Sequence, residues 1–162
     1  MGIEKAPIES TAIQDVAVFE LKQIGDQRGS VLHMLRDDSE AFTRFGEIYF
    51  SEVFPGVVKA WKRHKQMTQR LAVPCGMAKF VLYDDRQNSA SIGHTMEIVL
   101  GRPDHYRLLC IPPMIWYGFQ SLSKSVAIIA NCPDMHHDPS EADLRDYREA
   151  GFPYSWEMEK AE

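Results

Sequence analysis

The chain has 162 residues, 44% of them apolar and 10% aromatic, with a net charge of −5. That length suits one domain, spanning 1–162, with a sizeable buried core. The mild negative charge argues against a nucleic-acid or membrane partner held by bulk attraction, though it leaves room for a local basic pocket.

The start of the chain has no basic region leading into an apolar stretch, so no signal peptide is expected. Ala6 stands where a myristoylation motif needs Ser or Thr. After an arm of about a dozen residues, segments rich in Val, Ile, Tyr, Phe and Trp recur at 16–21, 30–36, 47–54, 57–63, 70–73, 78–83, 95–100, 106–110, 115–119 and 126–132. The longest apolar run, 126–130, is too short to span a bilayer. Turn residues separate the segments, among them Gly25-Asp26, Pro55-Gly56, Gly101-Arg102-Pro103 and Pro112-Pro113. Short strands at roughly ten-residue spacing predict an all-β sandwich or barrel, with its core at about 15–135. One helix is expected at 140–150. Ser140 and Asp143 give it an S-x-x-D start, Leu144, Tyr147 and Ala150 share a stripe, and Gly151 with Pro153 ends it. The last four residues are expected to fray. Cys75, Cys110 and Cys132 are widely spaced without a C-x2-C pair, which suggests reduced thiols in a cytoplasmic protein.

Residues 56–76 carry the most information. They read G-x5-K-x-H-x4-Q-x6-G, from Gly56 through Lys62, His64 and Gln69 to Gly76. The first cupin signature has the same spacing, G-x5-H-x-H-x4-E-x6-G. The second, P-x-G-x2-H, corresponds to Pro112 through Tyr117. The resemblance implies a cupin double-stranded β-helix, a jelly-roll barrel. In metal cupins three imidazoles and a carboxylate converge on a divalent ion. In this chain those slots hold Lys62, His64, Gln69 and Tyr117. An ammonium repels a cation and an amide ligates poorly, so no metal is expected there. His136 and His137, with Asp134 and Asp138, form a second candidate chelate, weighed against being merely solvated.

Further strings resemble one family. Asp26-Gln27-Arg28-Gly29 has a D-x-R-G form, and Asp84-Asp85-Arg86 precedes Ser89, Ser91 and Gly93. Ile111-Pro112-Pro113 leads to Tyr117-Gly118-Phe119, and Pro153-Tyr154-Ser155-Trp156 closes the series. With 56–61, these are similar to the dTDP-4-dehydrorhamnose 3,5-epimerase family over about 20–157. That likeness implies proton exchange at carbons flanking a 4-keto group, with no cofactor, on a nucleotide-linked deoxysugar in polysaccharide biosynthesis. It also implies a homodimer in which paired or swapped strands cover sheet edges.

The family's proton-handling residues are substituted. Lys62 stands where the basic His would be, and Tyr117 replaces the His of H-G-F. The position of the acidic Tyr falls near Ala130. The Asp that would orient the His belongs beyond Trp156, where little chain follows. Binding positions keep their chemistry better: Arg28 and Lys59 take phosphate-contacting places, and Arg70 lies at or one past a family Lys, with Gln69 in that place in an ungapped match. Two readings of the substitutions stay open. In one, Lys62, His64 and Tyr117 form a replacement catalytic set, since strand alternation puts Lys62 and His64 on one face. In the other, Lys62 pairs with a phosphate or carboxylate and His64 is a satisfied core residue, which leaves a non-catalytic sugar-nucleotide or carbohydrate-binding cupin. Tyr49, Trp61 and Trp116 could stack on a base or sugar, or simply belong to the core.

Overall fold

The computed structural model describes residues 11–156. Most of the expected N-terminal arm and the last four residues lie outside that span. Strands follow in chain order as β1 (Ala17–Glu20), β2 (Gln23–Asp26), β3 (Gly29–Leu32), β4 (Tyr49–Val53), β5 (Val58–His64), β6 (Gln69–Cys75), β7 (Met77–Asp84), β8 (Thr95–Gly101), β9 (Arg107–Ile111), β10 (Ile115–Ser121), β11 (Ala127–Asn131) and β12 (Ala142–Leu144). They form two five-stranded sheets, ordered β1-β9-β6-β11-β4 and β12-β5-β10-β7-β8, and the β2-β3 hairpin. The pairs are antiparallel throughout.

Alternation along each strand decides what goes between the sheets. Val53, Leu71, Val73, Phe80, Leu82, Leu109, Ile111, Ile115, Tyr117 and Ile129 point inward and form the main core. The outer face of the second sheet is covered too. Trp61, Val81 and Trp116 pack there with Trp156, Phe152 and Tyr154 from the C-terminal segment.

The pairing of β10 with β5 is irregular at the point that matters for the site. Tyr117 faces Lys62 and Phe119 faces Lys59, so β5 carries one residue more than β10 over this stretch. Such a bulge re-aims side chains, and it puts Lys59 and Lys62, three positions apart, opposite inward-facing partners. Gly118 permits the close approach, because a Cβ there would lie 2.2 Å from the Cβ of Ala60. Gly118→Ala is expected to cost about 1–3 kcal/mol through overpacking, read as a lower midpoint in thermal or urea unfolding.

The expected helix at 140–150 is replaced by other structure. A 3-10 turn spans Pro139–Glu141, and β12 then pairs with β5, setting Ala142, Asp143 and Leu144 opposite His64, Arg63 and Lys62. Arg145 N donates to Trp61 O at 3.0 Å and Trp61 N to Arg145 O at 2.7 Å, extending this ladder. The local capping pattern loses to a free strand edge that needs partners for its backbone groups. Arg63 reinforces the pairing by bridging Asp143 at 2.7 Å and Asp85 at 3.2 Å. The turn is capped by Asp138, whose carboxylate accepts from Ser140 N at 2.9 Å. Glu141 is thereby turned inward, away from the exposed helix start the pattern predicts.

Candidate active site

A cavity of about 540 Å³ opens between the sheets, within the size range of small-molecule sites. β5 and β10 supply one wall with Lys59, Lys62, Tyr117 and Phe119, while β4 and β11 supply the facing wall with Tyr49, Ser51 and Asn131. Leu144, Arg145 and Asp146 close one side.

Behind Tyr117 runs a chain of buried hydrogen bonds. Glu141 Oε1 accepts from the backbone N–H groups of Gln66 at 2.7 Å and Met67 at 2.9 Å. Its Oε2 lies 2.7 Å from His64 Nδ1, and His64 Nε2 lies 3.1 Å from the Tyr117 hydroxyl. Burial alone would raise the Glu141 pKa, but the two amides and His64 outweigh it and hold the carboxyl below its ordinary value. Burial lowers the His64 pKa, against the Glu141 bond that favours its charged form. Burial also raises the Tyr117 pKa well above that of a free phenol. At neutral pH these directions give an ionised Glu141, a neutral His64 and a protonated Tyr117. The carboxylate takes the Nδ1–H, so Nε2 carries the lone pair and accepts from Tyr117.

Lys62 sits opposite Tyr117 across the β5–β10 pair. Burial lowers its pKa, while Glu141 and Glu47 favour its charged form. Gln69 is fully buried on β6. Its Nε2 donates to the Tyr49 hydroxyl at 3.1 Å, and the same side chain interacts with the Tyr117 hydroxyl.

The structure thus brings together Lys62, His64, Tyr117 and Tyr49, with Lys59 at the rim donating from Nζ to Glu52 O at 2.8 Å. Other expected site residues lie elsewhere. Trp61 is among the residues around the cavity, but its ring stacks on Phe152, centroids 4.5 Å apart, in the outer aromatic cluster. Trp116 belongs to that cluster as well, with its Nε1 donating to Asp85 at 3.0 Å. Arg70 is only 2% exposed and lies outside the cavity, where Nη2 donates to Thr43 Oγ1 at 2.9 Å and Nε to Ala41 O. Gln69 takes the inward position, and alternation turns its neighbour outward. Arg28 projects from the β2-β3 hairpin, paired with Asp26 at 2.6 Å and away from the cavity of its own chain. Among the described residues no three His, Cys, Asp or Glu side chains gather as a metal set. Asp134 instead accepts from Thr68 N at 2.9 Å. Glu141 and Arg145 were missed by sequence reasoning, which assigned both to the helix. No local signal marks them, because strand pairing is what carries them to the site.

The sequence model for dTDP-4-dehydrorhamnose 3,5-epimerases matches residues 10–161. The chain belongs to the dTDP-4-dehydrorhamnose 3,5-epimerase family. It is 32% identical over 131 residues to the spore coat polysaccharide biosynthesis protein SpsL of Bacillus subtilis, covering 81% of this chain and 86% of that protein. It is 31% identical over 133 residues to a probable low-salt glycan biosynthesis epimerase, Agl13, of Haloferax volcanii, covering 81% and 85%. The crystal structure of a dTDP sugar isomerase from Desulfovibrio desulfuricans G20 superposes with a TM-score of 0.89 at 48% identity, over 91% of this chain and 94% of that one. The two-sheet barrel is therefore the cupin barrel of this epimerase family.

Proposed function

We propose that this chain is a sugar-nucleotide epimerase of glycan biosynthesis, acting on a nucleotide-linked 4-keto-6-deoxy sugar without metal or cofactor. The observation that carries this reading is the Glu141–His64–Tyr117 chain, which ends on the cavity wall beside Lys62. Epimerisation next to a ketone requires removal of an α-proton and charge stabilisation on the enolate oxygen. Tyr117 takes the proton from carbon while passing its own to His64 Nε2. The C–H electron pair becomes the enolate double bond, and the carbonyl electrons move onto oxygen. Ionised Glu141 stabilises the imidazolium that results, and the Lys62 ammonium faces the enolate oxygen. Lys59 and Arg145 stand at the cavity margin, placed to meet a diphosphate. The names of the relatives favour a dTDP-linked substrate.

The proposal includes a single cupin domain acting as a cytoplasmic homodimer. In support, β4 is a sheet edge whose outward Phe50 is exposed along with nearby Phe54, and the cysteines are free thiols.

The test is solvent deuterium incorporation into dTDP-, GDP-, UDP- and CDP-linked 4-keto-6-deoxy sugars. Exchange at a carbon flanking the ketone is expected with at least one of them. Tight binding of every candidate without exchange would select a non-catalytic sugar-nucleotide cupin instead. Lys62→Met is expected to lose about 10²–10³ in exchange rate, whereas Lys62→Arg keeps the charge and a measurable part of the rate. A base at Lys62 predicts the reverse for Arg, which cannot deprotonate.

A further inference from the structure

Inversion needs a second proton-handling group, on the face of the sugar opposite the one that lost its proton. Tyr117 and Lys62 both belong to the β5–β10 wall. The facing wall offers Tyr49, Ser51 and Asn131. Asn131 has no acidic proton, and its Nδ2 is committed to Ser51 Oγ at 3.2 Å and Ile129 O at 3.0 Å. A serine hydroxyl is a far weaker acid than a phenol, whose pKa lies near 10. Among the described residues the Tyr49 hydroxyl receives a hydrogen bond from Gln69 and gives its own proton to none of them. Its proton is therefore free to point into the cavity.

Resting on the epimerase reading, we infer that Tyr49 is the second catalytic acid, delivering a proton to the enolate carbon from the sheet opposite Tyr117. As the new C–H bond forms from the enolate double bond, the Tyr49 O–H bond breaks and leaves a phenolate. The Gln69 N–H already aimed at that oxygen stabilises the phenolate. Water at the cavity mouth then returns the lost proton, and His64 releases its extra proton to solvent through Tyr117. Gln69 is a positioning residue in this scheme. Its side chain interacts with both phenols, and a carboxylate in its place would repel the phenolate developing at Tyr49.

The test is Tyr49→Phe, which removes one oxygen and keeps the ring, run in deuterated water with dTDP-4-keto-6-deoxyglucose. Deuterium wash-in and formation of the inverted sugar are followed separately by NMR, with binding measured by titration. Inversion is expected to slow by about 10²-fold or more, while deuterium still enters with retained configuration and affinity stays within a few-fold. Gln69→Glu is expected to slow inversion similarly. Inversion by Tyr49→Phe within threefold of wild type, with wild type active, would sink this assignment alone. Loss of wash-in together with inversion would move Tyr49 to the abstraction step and overturn its role as the second acid. A wild type that exchanges no proton with any nucleotide-linked ketosugar would instead sink the epimerase reading, and this inference with it.

Discussion

Tyr117→Phe is expected to abolish most of the deuterium exchange, with a loss of about 10³-fold, worth ~4 kcal/mol of transition-state stabilisation. No other described side chain joins the cavity to the buried His64–Glu141 pair, so losing this hydroxyl disconnects the proton acceptor from the substrate. The ring itself is retained, and with it the packing in the inner core. Stability should fall by only about 1–3 kcal/mol, the range for a buried polar atom, His64 Nε2, left without its partner. Circular dichroism and unfolding midpoints check that the barrel survives. A variant that folds, binds and still exchanges at the wild-type rate would exclude Tyr117 from the proton path.

The barrel was legible in the sequence because its strands are punctuated locally. The segment expected at 57–63 is the strand Val58–His64, that at 78–83 is Met77–Asp84, and that at 115–119 is Ile115–Ser121. Alternation then set Lys62 and His64 on one face, and the second motif brought Tyr117 opposite. The unread parts depend on contacts distant in sequence. The edge strand β12 exists because β5 lacks a partner on that side, and no propensity in the segment after Ser140 says so. The inward turn of Glu141 follows from that pairing. Arg70 shows the opposite limit: its charge fits a phosphate, but a one-residue change of parity on β6 sends it to the outer face and Gln69 to the inner one. Basic residue type is a weaker guide than strand register.

Glu141→Gln is expected to lower exchange by about 10²–10⁴, close to the effect of removing the His64 ring altogether. The amide can keep accepting from the Gln66 and Met67 N–H groups through its oxygen. Its NH₂ then faces His64 Nδ1, which must become the acceptor. The proton moves to Nε2, and His64 can no longer take one from Tyr117. This tautomer reversal has a known magnitude in triads of the same logic. The pH profile separates it from a structural defect. In wild type, exchange falls in acid as His64 protonates, below its ordinary pKa of about 6.5 because burial lowers it. Exchange falls again in base as Lys62 loses its charge, below the ordinary lysine value of about 10.5. Glu141→Gln is expected to lower the plateau across the whole profile, because the fault is the tautomer present at neutral pH. Stability carries its own signature. Glu141 has a folded pKa below its unfolded value, so its contribution is complete above about pH 4.5 and is lost as pH falls through the folded pKa. His64, also lowered, adds a loss in the same direction that begins near pH 6.5. The glutamine variant keeps the amide contacts but lacks the carboxylate, so its unfolding midpoint should decline less steeply than wild type below about pH 4.5. A wild-type rate in this variant would show that Glu141 does not order His64, and an unchanged acid limb of stability would show that it carries no charge in the folded protein.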